Sequence, residues 1–197
     1  VHLISFLTQK MLLMAIFERW NEVKVSDAAK RIGVSTKSAS RCFDELEYLN
    51  IDVLGMKGKS RVINIPNDRK QVWQQIENVL RNPVIRRFVL REDMKLEKKA
   101  GISALCEYSL LSDNAYPTYA VTKKELKASG VKVEKQASEL EEIGCVVLEL
   151  GYFIDFLGKG FQDPLSVVLS LTGDEQEEER VDISINEMLE EYVWSKD

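Results

Sequence analysis

Thr36, Lys37, Ser38, Ser40 and Arg41 place hydrogen-bond donors on nearly every position of a short stretch that holds no acid. Ser35 precedes them, and Asp44, Glu45 and Glu47 follow only later. A second cluster, Lys57, Lys59 and Arg61, sits in the glycine-bearing segment Gly55-Met56-Lys57-Gly58-Lys59-Ser60-Arg61. Cations of this kind suit phosphate oxygens, and hydroxyls with a guanidinium suit the acceptor edges of bases. The plain alternative for both clusters is a solvated helix face and a solvated turn.

Other chemistries find less support. The single histidine is His2, which excludes most histidine triads and histidine-rich metal sites. Cys42, Cys106 and Cys145 are odd in number, widely spaced and lack a Cys-x-x-Cys pair, so reduced and mostly buried thiols are expected. Asp155 and Asp163 flank Gly158-Lys159-Gly160, and acids crowd residues 174–179. Neither set has the ligand order of a calcium loop or the remainder of a phosphate-binding loop. No enzyme activity, metal or cofactor is expected.

The chain has 197 residues, 45% of them hydrophobic and 30% charged, which suits an ordinary globular protein of one or two domains. Its longest purely apolar run, Met11 to Phe17, is far shorter than the roughly 20 residues that span a bilayer. No charged start precedes a cleavable apolar core, so a cytoplasmic location is expected. The net charge of −5 conceals a division. Residues 1–91 carry 16 Lys+Arg against 9 Asp+Glu, and residues 92–197 carry 11 against 23. A basic front suits a polyanion, which the acidic back would repel.

The elements that must position the donors follow from periodicity. Leu3 to Trp20 predicts an amphipathic helix, with Gln9, Lys10, Glu18 and Arg19 on its polar side and an apolar face wide enough for a second chain. Ser26 reads as the N-cap of a short helix that Gly33 ends. Ser35 caps the next helix, whose Ala39, Cys42, Phe43, Leu46 and Leu49 share one face, with Asn50 at its end. Strands around Ile51–Val53 and Val62–Ile65 predict a hairpin with Lys57, Lys59 and Arg61 at its tip. Gln71 to Leu80 predicts another amphipathic helix, and the region of residues 81–95, with Arg81, Arg86 and Arg87, reads as a basic exposed connector. Further on, helices are expected at Ala100–Leu111, from Thr122, from Asp163-Pro164 to about Leu171 and at Ile183–Trp194. Strands are expected at Tyr116–Val121 and Cys145–Ile154, and an acidic loop at Gly173–Glu179; Glu134–Ile143 is ambiguous.

Helix, tight turn, second helix and basic hairpin is the order of a winged helix-turn-helix. Gly33-Val34-Ser35, Ser40-Arg41, Phe43, Leu46, Ile51 and Gly58-Lys59-Ser60-Arg61 resemble the MarR-like winged-helix transcription regulators over about residues 5–80. The departure is Asn50, where that family usually has glycine. The resemblance implies double-stranded DNA as partner, with Ser35, Thr36, Lys37, Ser38, Ser40 and Arg41 facing it and Lys57, Lys59 and Arg61 on its backbone. The fold class expected is α+β. Residues 1–82 form the winged helix-turn-helix domain, and residues 83–197 form a small α+β domain with a regulatory or antitoxin-like role. In that second half, Ala100-Gly101-Ile102-Ser103-Ala104-Leu105 with Tyr108, Pro117 to Val121, Asp163 to Ser166 and Leu169-Ser170-Leu171 look like AbiE-type antitoxins. That likeness implies a bacterial autorepressor opposed to a nucleotidyltransferase toxin. A homodimeric, sequence-specific repressor is the leading reading. A winged-helix scaffold for protein partners is the alternative. A ligand-sensing second half, with Tyr108, Tyr116, Tyr119 and Tyr152 around a pocket, is a further one.

Overall fold

The computed structural model describes residues 3–131 and 142–195. His2 and most of the ambiguous segment Glu134–Ile143 lie outside them. The protein is a mixture of helices and two small three-stranded sheets, divided into compact units at residues 1–81 and 82–197.

In the first unit, helix α1 (Phe6–Glu18) begins at Ser5, whose hydroxyl accepts from the Thr8 amide at 3.3 Å. Its side chains are buried almost all round, Gln9 among them, so the expected polar side is largely absent. Gln9 donates through Nε2 to the Arg81 carbonyl at 2.8 Å and accepts the Arg81 amide on Oε1 at 2.9 Å. Those two bonds satisfy a polar side chain that no water reaches. Strand β1 (Val23–Lys24) leads directly into helix α2 (Val25–Ile32). Lys24 occupies the cap position there without a side-chain bond, so Ser26 is inside the helix and not its cap. Gly33 ends α2 at φ +71°, a conformation that costs glycine nothing.

Helix α3 (Thr36–Tyr48) starts as the sequence predicts, with the Ser35 hydroxyl accepting from the Ser38 amide at 3.1 Å. Ala39, Cys42, Phe43 and Leu46 form its buried face, and Asn50 takes the left-handed conformation just beyond it at φ +55°. Strands β2 (Leu54–Lys57) and β3 (Ser60–Ile63) pair with Lys57 opposite Ser60, leaving only Gly58 and Lys59 in the loop. The hairpin is therefore tighter than expected. β1 joins it, giving the order β1-β3-β2. Helix α4 (Arg69–Ile76) stops short of the predicted Leu80. Arg69 is buried and donates to the Ile16 carbonyl at 3.1 Å.

The second unit opens with strand β4 (Val84–Leu90), where an exposed connector was expected. Arg86 and Arg87 are ladder residues. The sheet has the order β4-β6-β5. Central β6 (Cys145–Leu150) runs antiparallel to β4 and parallel to β5 (Thr118–Val121). All six β6 side chains are buried, because both faces of the sheet are covered. Phe88, Tyr119, Val121, Leu126, Cys145 and Val147 pack on one side; Ala100, Ala120, Val146, Leu148 and Leu150 pack on the other. Helices α5 (Gly101–Tyr108), α6 (Lys123–Ser129) and α7 (Pro164–Ser170) follow the predicted starts closely. The acidic loop expected at Gly173–Glu179 is instead helix α8 (Gly173–Glu177), closed by a reciprocal capping box between Thr172 and Glu175. Helix α9 (Glu179–Met188) runs into a π-helical turn, Leu189–Trp194. No described helix is long and apolar enough to cross a membrane.

Candidate nucleic-acid interface

The front of α3 presents its donors as a graded set. Thr36, Lys37 and Arg41 are exposed, and nothing among the described residues bonds to their side chains. Lys37 and Arg41 are four residues apart, hence on one helix face. Ser35 and Ser38 are committed to the helix start: the Ser35 hydroxyl takes the Ser38 amide and lies 3.1 Å from the Ser38 hydroxyl. Ser40 is half-buried, and its hydroxyl and carbonyl accept from Arg61 Nη2 at 3.2 and 3.4 Å.

Arg61 is the largest departure from expectation. It pairs with Met56 across the hairpin, one step in from the Lys57–Ser60 pair that closes the turn, and its side chain leans on α3 rather than standing at the tip. Nη1 donates to Asp44 Oδ1 at 2.6 Å and to Glu47 Oε1 at 3.3 Å, and the guanidinium lies 5.6 Å from the Phe43 ring centre. Burial alone would lower its pKa, but the hydrogen bonds and charges of Asp44 and Glu47 outweigh burial and hold it above the ordinary arginine value. The guanidinium thus fastens the hairpin to α3 and is already neutralised there.

The two remaining hairpin cations differ from each other. Lys57 pairs with Glu22 at 2.9 Å, with both side chains about half exposed, a bond worth about 0–1 kcal/mol and easily exchanged. Lys59 stands in the loop, exposed, and no described side chain pairs with it. The acids at the rear of α3 are all engaged: Asp44 and Glu47 on Arg61, and Glu45 on the Ser5 amide at 2.5 Å. They are drawn away from the front of the helix, so the acid-free character of the front survives folding.

Of the nine residues singled out, Thr36, Lys37, Arg41 and Lys59 therefore keep their donors free, Lys57 is loosely held, and Ser35, Ser38, Ser40 and Arg61 serve the fold. Two exposed side chains went unremarked at the sequence level. Met56 is 64% exposed beside the hairpin loop, and Tyr48 is 71% exposed near the end of α3. Met56 stands opposite Arg61 in the ladder and shares its sheet face, so strand alternation does not mark it as exposed.

The second unit brings the candidate acids into structural roles. Asp163 is fully buried and caps α7, its Oδ2 accepting from the Ser166 amide at 2.9 Å, while Oδ1 has no hydrogen-bond partner among the described residues. Burial pushes its pKa up to about 7. Asp155 Oδ1 accepts from the Gly160 amide at 3.0 Å and shapes the glycine turn. Glu175 closes the α8 cap. Among the described residues, no three His, Cys, Asp or Glu side chains come together as a metal site. Tyr108, Tyr119 and Tyr152 are buried, Tyr119 in the sheet core and Tyr152 with its hydroxyl 2.8 Å from that of Ser166.

With α3 and its hairpin so arranged, the surface offers free donors and no free acid at the helix front. No family model, no curated protein and no solved structure matches this chain.

Proposed function

We propose that the protein is a cytoplasmic, sequence-specific DNA-binding transcription regulator whose first unit is a winged helix-turn-helix. The observation that carries this reading is the pairing of two free donor sets on consecutive elements. Lys37 and Arg41 stand on the exposed front of α3, and Lys59 stands in a two-residue loop that Arg61 fastens to the same helix. In this reading α3 enters the major groove and Arg41 reads a base edge. Lys37, Lys57 and Lys59 hold phosphates.

The test is selection from a pool of duplex DNA over a salt series, followed by variants on the selected site. A shared inverted repeat is expected, with affinity that falls as salt rises. Arg41→Ala should cost about 1–3 kcal/mol on that site and little on random DNA. Lys59→Ala should weaken both alike. No retained DNA at low salt would overturn the reading in favour of a protein-binding scaffold. The AbiE-type likeness of the second unit adds a narrower expectation, that the selected repeat lies in the protein's own promoter.

A further inference from the structure

A cavity of about 210 Å³ opens in the second unit, between β4, α5, β5 and the segment joining α7 to α8. Its apolar wall is Val84, Ile102 and Leu148, and its polar wall includes Arg87 and Glu175. Arg87 stands directly opposite Leu148 in the β4–β6 ladder, so both side chains leave the same face of the sheet. Its neighbour Arg86 leaves the other face and is neutralised by buried Glu149, at 2.9 and 3.3 Å. Arg87 has no such counter-charge among the described residues. Glu175 lines the cavity as well, its Oε1 accepting the Thr172 amide at 2.9 Å within the capping box, and makes no ion pair with Arg87. Gly101 keeps one wall open: a Cβ there would project to within 3.6 Å of both Leu148 Cδ1 and Thr118 Cγ2. A guanidinium with no ion-pair partner among the described residues, beside an apolar recess of this size, matches one ligand chemistry.

We propose that this cavity binds a small aliphatic carboxylate, with the carboxylate on the Arg87 guanidinium and the hydrocarbon against Val84, Ile102 and Leu148. Bidentate carboxylate recognition is what arginine provides best, and a few apolar side chains suffice for a short alkyl chain. The inference does not depend on DNA binding, since occupancy can be read on the free protein.

The test is an amide NMR titration of the full chain with pentanoate, at constant ionic strength set by chloride. Saturable shifts at Gly101, Ile102 and Thr118 are expected. Arg87→Gln should weaken binding by about tenfold or more, as loss of a charge-assisted pair does, whereas Lys159→Gln, a cation that does not line the cavity, should leave it unchanged. Val84→Phe fills the apolar recess while sparing Arg87 and should also abolish binding, which keeps the test decisive where the arginine variant misfolds. Inorganic phosphate, which has charge without hydrocarbon, should bind more weakly. Shifts that never saturate, or that persist equally in Arg87→Gln, overturn the site. Phosphate binding as tightly as pentanoate overturns the aliphatic part of the assignment.

Discussion

Arg61 and Lys59 lie two residues apart, yet the fold gives them opposite work. Arg61 makes its bonds inside the protein, to Asp44, Glu47 and Ser40. Arg61→Ala should therefore lower stability without any DNA present, by about 1 kcal/mol, the scale of a partly exposed ion-pair network. Lys59→Ala should change stability by less than about 0.5 kcal/mol. Urea denaturation of both variants checks this, and equal stabilities would mean that the Arg61 contacts hold nothing. Asp163 carries a separate prediction. Its folded pKa of about 7 lies above the ordinary carboxyl value of 3.8 because burial disfavours the charged form. The fold thus favours the protonated acid. That stability is complete below about pH 4 and is lost as pH rises toward 7, by at most about 1.4 kcal/mol per pH unit. Asp163→Asn keeps a capping oxygen for the Ser166 amide and cannot ionise. Relative to the native chain it should gain stability between about pH 4 and pH 8 in thermal melts, and a constant difference across that range would refute the assignment. Asp163 was legible in sequence as the cap of α7, but its burial was not, and neither was the role of Arg61. Arg61 looked like a third tip cation because strand alternation was not used to orient it, and nothing local to Asp163 marks it as buried.

Among the elements, α3 was the most legible, since its cap, buried face and termination each rest on local chemistry. Ser35, the apolar spacing from Ala39 to Leu46, and Asn50 all stand where their physics puts them. The failures are non-local. β1 is two residues long and exists only because Val23 and Lys24 find Ile63 and Val62 in β3. β4 was mistaken for a connector because its arginines looked solvated, and only Glu149, far along the chain, explains Arg86. α8 was hidden by its acids, although Thr172 and Glu175 already spelled a capping box. α1 was read as amphipathic because Gln9 is polar, while the Arg81 backbone that satisfies it is distant in sequence. This last case is testable. Gln9→Met keeps the length of the side chain but removes both partners of Arg81, leaving polar backbone groups beside a buried apolar side chain. A loss of about 1–3 kcal/mol is expected on urea unfolding. A neutral outcome would mean that water replaces Gln9 at Arg81.

At the scale of the whole molecule, the structural boundary redraws the charge division. Residues 1–81 carry 13 Lys+Arg against 9 Asp+Glu, and residues 82–197 carry 14 against 23, so the first unit is less basic than the sequence split suggested. Much of the apparent excess was Arg86, Arg87 and Arg91, which belong to the second unit. The contrast in sign survives, and with it the expectation that one unit meets phosphates while the other is repelled by them. The apolar residues that suggested a partner chain, Met11, Leu12, Ile16, Val72, Trp73 and Ile76, are already buried within this one chain. The proposed homodimer therefore rests on the two-fold habit of readers of inverted repeats, and salt dependence tests it directly. Lys37, Lys57 and Lys59 are the cations left for phosphates in each copy. Three phosphate contacts give a slope of log affinity against log salt of about −2.7, and two copies on one repeat give about −5.4. The proposed homodimer predicts the steeper slope, with two chains per duplex in light scattering of the complex. A slope near −2.7 with one chain per duplex would retire the dimer while leaving the single-copy reader intact. A flat slope would remove the three lysines from the interface altogether.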